Sequence, residues 1–173
     1  MDSTITGRAW LLTDDQGRLI DNVDTDMIFH NRYLHITEMS EMGQYALDNL
    51  KGGEDFSARA RPGDIVVAGA NFGCGSSRQQ AVDCFRALGI QALVATSFGA
   101  IYFRNAVNAG WPVLACPELT SDALATGDEV EIDLSSSSWR ATSRETDLPV
   151  LKPVSTVQRE IMAAGGLFAL RKS

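Results

Sequence analysis

The residues best suited to chemistry lie between Asp64 and Arg78, in the stretch DIVVAGANFGCGSSR. Its apolar start reads as a buried strand that runs into a glycine-rich turn and then into a helix. Small residues at Gly73, Cys74 and Gly75 let the backbone approach a ligand. A helix entrance adds unpaired N–H groups and the positive end of a dipole, a combination that favours an anion. Ser76, Ser77 and Arg78 follow at the expected helix start. A serine hydroxyl held among amide protons beside a guanidinium can be stabilised as an alkoxide and remove a proton. The same residues also suit a structural role, with Ser76 capping the helix and Arg78 pairing on the surface.

Three familiar glycine loops do not fit this spacing. A dinucleotide fingerprint needs Gly or Ala where Arg78 stands, and an acidic residue where the chain has Leu93 to Thr96. A phosphate loop needs a lysine that is absent here. A hydrolase nucleophile elbow needs Gly-x-Ser-x-Gly, and His30 and His35 lie in a segment too short to supply a clear base. A second constellation, DNVDTDMIFHNR from Asp21 to Arg32, sets Asp24 and Asp26 around Thr25 and follows them with Arg32. It lacks the glycine and distal glutamate of a calcium loop, and an exposed turn of solvated charges is the plain alternative.

The elements that must position these groups form three segments with no linker or repeat between them, so residues 1–173 are expected to be one domain. The first holds a short strand from Ala9 to Thr13 and the segment Asn22 to Thr37. A helix through Tyr45, Leu47 and Leu50 then ends at Gly52 and Gly53. In the second, strands at Ile65 to Gly69, Ala92 to Ala95 and Pro112 to Cys116 alternate with two helices. One runs through Ala81, Val82, Phe85 and Leu88 to Gly89; the other, capped by Ser97, runs through Ile101, Phe103 and Val107 to Gly110. That order implies right-handed crossovers and a parallel βαβαβ core. In the third, Val130, Ile132 and Leu134 alternate with acids, and a Ser135 to Ser138 turn leads to Trp139 to Thr142, an antiparallel hairpin. Pro153 opens a final helix with Val154, Val157 and Ile161 inward and Gly165 and Gly166 as its stop.

Bulk properties narrow the function. With 45% hydrophobic and 21% charged residues the chain is of globular type. It has no apolar run long enough to span a membrane and no signal-peptide pattern, so a cytoplasmic protein without membrane association is expected. A net charge of -7, with the 15 Lys and Arg scattered, argues against nucleic acid as a partner but leaves room for a small anion bound by local arginines. Cys74, Cys84 and Cys116 match no zinc or iron-sulfur spacing, so no metal site is expected in this chain.

At NVDTDMIFHNRYL and VVAGANFGCGSSR, supported by ATSFGAIYFRNAVNAGWPVL, the chain resembles the small subunits of 3-isopropylmalate dehydratase and homoaconitase. These are equivalent to the mobile fourth domain of aconitase. The resemblance implies an α/β fold, a three-layer β/β/α swivelling domain, that closes over a [4Fe-4S] cluster held by a separate large subunit in a heterodimer or heterotetramer. It implies a hydro-lyase acting on a small anionic hydroxy acid: 3-isopropylmalate in leucine biosynthesis, or else homoaconitate or a dimethylmalate- or citraconate-type substrate. Ser76 resembles the catalytic base, Ser77, Arg78 and Arg32 resemble carboxylate-binding residues, and Asp26 resembles an acid that orients a histidine of the large subunit. Tyr33, Leu34, His35 and Ile36 fall in the substrate-selecting loop, where the apolar pair suits an apolar branch; internal packing is the alternative. Cys74, between Gly73 and Gly75, is expected to support the loop. Where the family commonly has Glu-His after GSSR, this chain has Gln79-Gln80. A reading of another class, an anion- or nucleotide-binding regulatory module, would use the same glycine loop.

Overall fold

The computed structural model describes residues 3–172; Met1, Asp2 and Ser173, which the expected single domain includes, lie outside the described residues. Strand β1 (Thr4–Leu11) occupies the centre of a seven-stranded mixed sheet. Beyond it on one side lie β2 (Ile65–Ala68), β3 (Ala92–Ala95) and β4 (Val113–Ala115), all parallel. On the other side lie β5 (Glu129–Asp133), β6 (Ser138–Ala141) and β7 (Thr146–Asp147), all antiparallel. β1 serves both halves: Thr4 to Arg8 pair with β5, and Ala9 to Leu11 pair with β2.

Alternate residues of the parallel strands feed two apolar cores. Val66, Ala68, Leu93 and Ala95 face one, with the helices α4 (Gln80–Ala87) and α5 (Ala100–Asn108). Ile65, Val67, Ala92 and Val94 face the other, where Val130, Ile132, Trp139 and Ala141 of the antiparallel half also pack. The sheet therefore curls so that its antiparallel half covers one face of its parallel half, and the helices cover the other. This gives β, β and α layers, with strands β2 and β3 buried on both faces. Among the described residues no helix is long and apolar enough to cross a membrane.

Several local expectations are corrected. β1 starts at Thr4 and stops at Leu11, because its first half is specified by pairing with β5, a partner more than a hundred residues away. The segment through Tyr45, Leu47 and Leu50 is not a helix. Helix α2 (Met39–Met42) is a single turn that tightens into a 3-10 turn at Gly43–Tyr45, and another single turn, α3 (Phe56–Arg59), precedes β2. Leu47 then takes a φ of 62° with its N–H on the Ile28 carbonyl, so burial of Leu47 and Leu50 is met by turns. Pro153 precedes the last long helix, α6 (Thr156–Ala164), which opens on a Ser155/Gln158 capping box. Val157 is 60% exposed: Val154 lies before the helix, so its spacing to Val157 is not a helical one. Ser97 does not cap α5; Gly99 occupies that position.

Candidate functional site

The glycine loop leaves β2 at the carboxyl ends of the parallel strands, the usual ligand face of such sheets. It is laced to both neighbours. The Asn71 N–H donates to Ser97 Oγ at 2.8 Å and the Phe72 N–H to the Ser97 carbonyl at 3.0 Å, which is what Ser97 does instead of capping. On the other side, the Gly73 N–H donates to the Val23 carbonyl (2.7 Å) and the Thr25 N–H to the Cys74 carbonyl (2.9 Å). The two sequence constellations are thus neighbours, joined backbone to backbone. Gly73, with φ of 77°, lies against the Tyr102 ring, and Gly75, with φ of 100°, passes close to Thr25. Cys74 is half-buried between them.

After Gly75 the chain comes to the surface. Ser76 and Ser77 are exposed and lie in the loop, ahead of α4, whose capping position is Gln79. They are therefore not at the helix start, and among the described residues no N–H donates to the Ser76 hydroxyl. Ser77 Oγ accepts from Asn105 Nδ2 of α5 at 3.0 Å. Arg78 turns back under the loop, 12% exposed, and its Nη1 donates to Asp26 Oδ1 (3.2 Å) and to the Phe29 carbonyl (2.8 Å). It is thus neither a loose surface pair nor fully committed, since its Nε and Nη2 have no partner among the described residues.

Asp26 belongs to α1 (Thr25–Ile28), a single turn capped by Asp24, whose Oδ1 accepts the Met27 N–H at 2.8 Å. The two acids of Asp-Thr-Asp therefore do different work. Asp26 also accepts the Asn31 N–H at 2.9 Å; that bond and the Arg78 guanidinium hold its carboxyl below the usual carboxylate range. Arg32, in the 3-10 turn Asn31–Tyr33, donates its N–H and Nε to His30 Nδ1, lies over the Tyr33 ring and is exposed. Tyr33 stacks on Tyr45 and bonds Asp48, which raises its hydroxyl pKa. Leu34 is 36% exposed and His35 is exposed, but Ile36 is buried in the helical core and reads nothing at the surface.

The structure so brings together Ser76, Ser77, Arg78, Asp26, Arg32 and the Leu34 turn, and removes Ile36. Sequence reasoning weighed His30 only as the base of a hydrolase and passed over Asn105. The spacing of His30, four residues after Asp26 and two before Arg32, was the available signal; nothing local marks Asn105. Among the described residues no three His, Cys, Asp or Glu side chains gather as a ligand set. Cys84 and Cys116 lie in opposite cores and Cys74 stands in the glycine loop, so the three thiols do not converge and do not fit an iron-sulfur cluster.

Serines and an arginine on a glycine loop at the carboxyl ends of parallel strands accord with a class: the Aconitase C-terminal domain family matches residues 15–118, which contain every residue of the candidate site. Within it, the chain belongs to the 3-isopropylmalate dehydratase small-subunit family. It is 39% identical to 3-isopropylmalate dehydratase small subunit 1 of Archaeoglobus fulgidus, over 96% of each chain. It is also 39% identical to the methanogen homoaconitase small subunit of Methanothermobacter thermautotrophicus, over 96% of this chain and 90% of that one. The crystal structure of 3-isopropylmalate dehydratase from Methanocaldococcus jannaschii matches with a TM-score of 0.85 at 37% identity, over 98% of this chain and 93% of that one.

Proposed function

We propose that this chain is the small subunit of a hydro-lyase that dehydrates and rehydrates 3-isopropylmalate, with Ser76 as the carbon base. One observation carries the reading: Arg78, two residues after the exposed Ser76, is bonded to Asp26 and to the Phe29 carbonyl, in a chain whose family is named for that activity. Arg32 and the free edge of Arg78 hold the two substrate carboxylates, and Ser77 adds a hydroxyl donor. Asp26, kept ionised by Asn31 and Arg78, orients a histidine of the large subunit. The partner's [4Fe-4S] cluster supplies the Lewis acid for the departing hydroxyl. Among the described residues none donates a hydrogen bond to the exposed Ser76, so its basicity requires a partner that excludes water and brings positive charge. That dependence makes the two chains obligate. The two cores shared by strands from all parts of the chain support reading 1–173 as one domain.

A second reading, homoaconitate as substrate, is favoured by the equal identity to a homoaconitase subunit and by the exposed His35, which can meet a third carboxylate. Anaerobic reconstitution with the large subunit and a hydroxy-acid panel tests both. Ser76→Ala should cut turnover by at least about a hundredfold while the chains still co-purify. Full turnover by that variant sinks the base; a native pair inert to the whole panel sinks the reading.

A further inference from the structure

Arg32 is gripped from its own chain. Its backbone N–H donates to His30 Nδ1 at 3.0 Å, and its side-chain Nε donates to the same atom at 3.3 Å. A backbone N–H is always a donor, so Nδ1 must be the unprotonated ring nitrogen and Nε2 carries the proton. That Nε2 faces Asp26 Oδ2 at 3.9 Å, an electrostatic contact longer than a hydrogen bond. The other oxygen of Asp26 holds Arg78 at 3.2 Å. Both guanidinium groups are therefore tied into one run of contacts, from Arg32 through His30 and Asp26 to Arg78. Two further constraints act on the Arg32 end: its guanidinium lies 5.4 Å from the Tyr33 ring centroid, and its carbonyl meets His35 Nδ1 at 3.1 Å. With Nε occupied and one face covered by the ring, the two Nη groups have no described partner and are left for an end-on contact with a carboxylate.

Resting on the function proposed above, we infer that His30 is a positioning residue, whose imidazole fixes Arg32 relative to Arg78 and so sets the spacing at which the two substrate carboxylates are held. It touches neither substrate nor reacting atoms; its effect falls on binding rather than on proton transfer. It caps a one-turn 3-10 segment and belongs to neither apolar core, so its replacement leaves both cores filled.

The test uses the reconstituted pair with 3-isopropylmalate and the free full-length chain. His30→Ala should raise KM about tenfold, the factor carried by one hydrogen bond to a charged group, with kcat unchanged. His30→Asn places an amide oxygen where Nδ1 stands and should restore KM. In an Arg32→Lys background His30→Ala should add no further penalty, because the residue it acts through is already altered. In the free chain, nitrogen-15 NMR of the ring should show the Nε2–H tautomer. An unchanged KM for His30→Ala, failure of Asn to rescue, penalties that multiply with Arg32→Lys, or a protonated Nδ1 would each overturn the inference. A native pair inert to all hydroxy acids would end the functional reading instead, and the tautomer measurement would then decide the His30–Arg32 grip alone.

Discussion

Replacing Gly73 with alanine tests how tightly the glycine loop is held. An added Cβ would press on Tyr102 Cγ and stand 2.5 Å from Tyr102 Cβ and 2.6 Å from Cδ2. Tyr102 cannot step aside: its ring is 2% exposed and packed on Phe72, and its hydroxyl donates to the Ala81 carbonyl at 2.9 Å. The loop cannot retreat either without breaking the 2.7 Å bond from the Gly73 N–H to Val23. A side chain at a φ of 77° costs about 1–2 kcal/mol and overpacking a filled core about 1–3, so Gly73→Ala should destabilise the chain by about 2–5 kcal/mol. Urea unfolding of the isolated chain measures it as a lower midpoint with an unchanged slope. Because the alternative to unfolding is to move the loop, turnover of the reconstituted pair should fall as well. Tyr102→Ala, which removes the ring, should make the double variant more stable than the two single penalties predict, by at least about 1 kcal/mol. A Gly73→Ala chain within about 0.5 kcal/mol of native would refute the close approach.

Two shorter predictions concern protonation and thiols. The folded state holds the Asp26 pKa below its unfolded value, so the ionised group contributes stability that is present above that unfolded value and fades as pH falls through the folded one; native chain should therefore lose stability below about pH 4 more steeply than Asp26→Asn, and parallel acid-unfolding curves would contradict this. Burial pushes the Cys116 thiol up to about 11 and the Cys84 thiol higher still, so iodoacetamide at mildly alkaline pH should label only Cys74 of the three free cysteines in the native chain, and mass spectrometry finding rapid labelling at Cys84 or Cys116 would show the cores to be more open than described.

What could be read from the residues followed the range of the forces involved. The strands β2, β3 and β4 and the helices between them announce themselves, because each is a short apolar run or a helical period, and both helices are stopped by a local glycine, Gly89 or Gly110. The hairpin of β5 and β6 is legible for the same reason, its acids alternating with Val130 and Ile132. The centre of the sheet was less legible: Thr4 to Gly7 have no apolar alternation strong enough to mark a strand until β5 supplies a partner. Leu47 and Leu50 show helical spacing, yet the hydrogen bond from Leu47 to Ile28 wins over helix propensity. At the candidate site, residue types and the family resemblance named the candidates, and the structure adds the contacts among them. Arg78 and Asp26 are far apart in sequence and meet only because Gly73 and Cys74 pair with Val23 and Thr25. The expected ring of helix amides around Ser76 was absent because the helix begins later, at Gln80.

That later start also gives Gln79 and Gln80 a physical setting. Gln79 Nε2 donates to Asp83 Oδ1 one turn along α4 at 3.3 Å, where the glutamate common in the family would face a like charge. Asp83 is itself paired with Arg86 at 2.9 Å, so the helix start is balanced around a neutral residue 79. Gln80 Nε2 donates to the Leu34 carbonyl at 3.4 Å, tying the first helical residue to the turn that carries the exposed Leu34. Neither amide is hydrogen-bonded to Ser76, Arg78 or Asp26. The departure from the family pattern therefore acts on how firmly the Leu34 turn is held against α4.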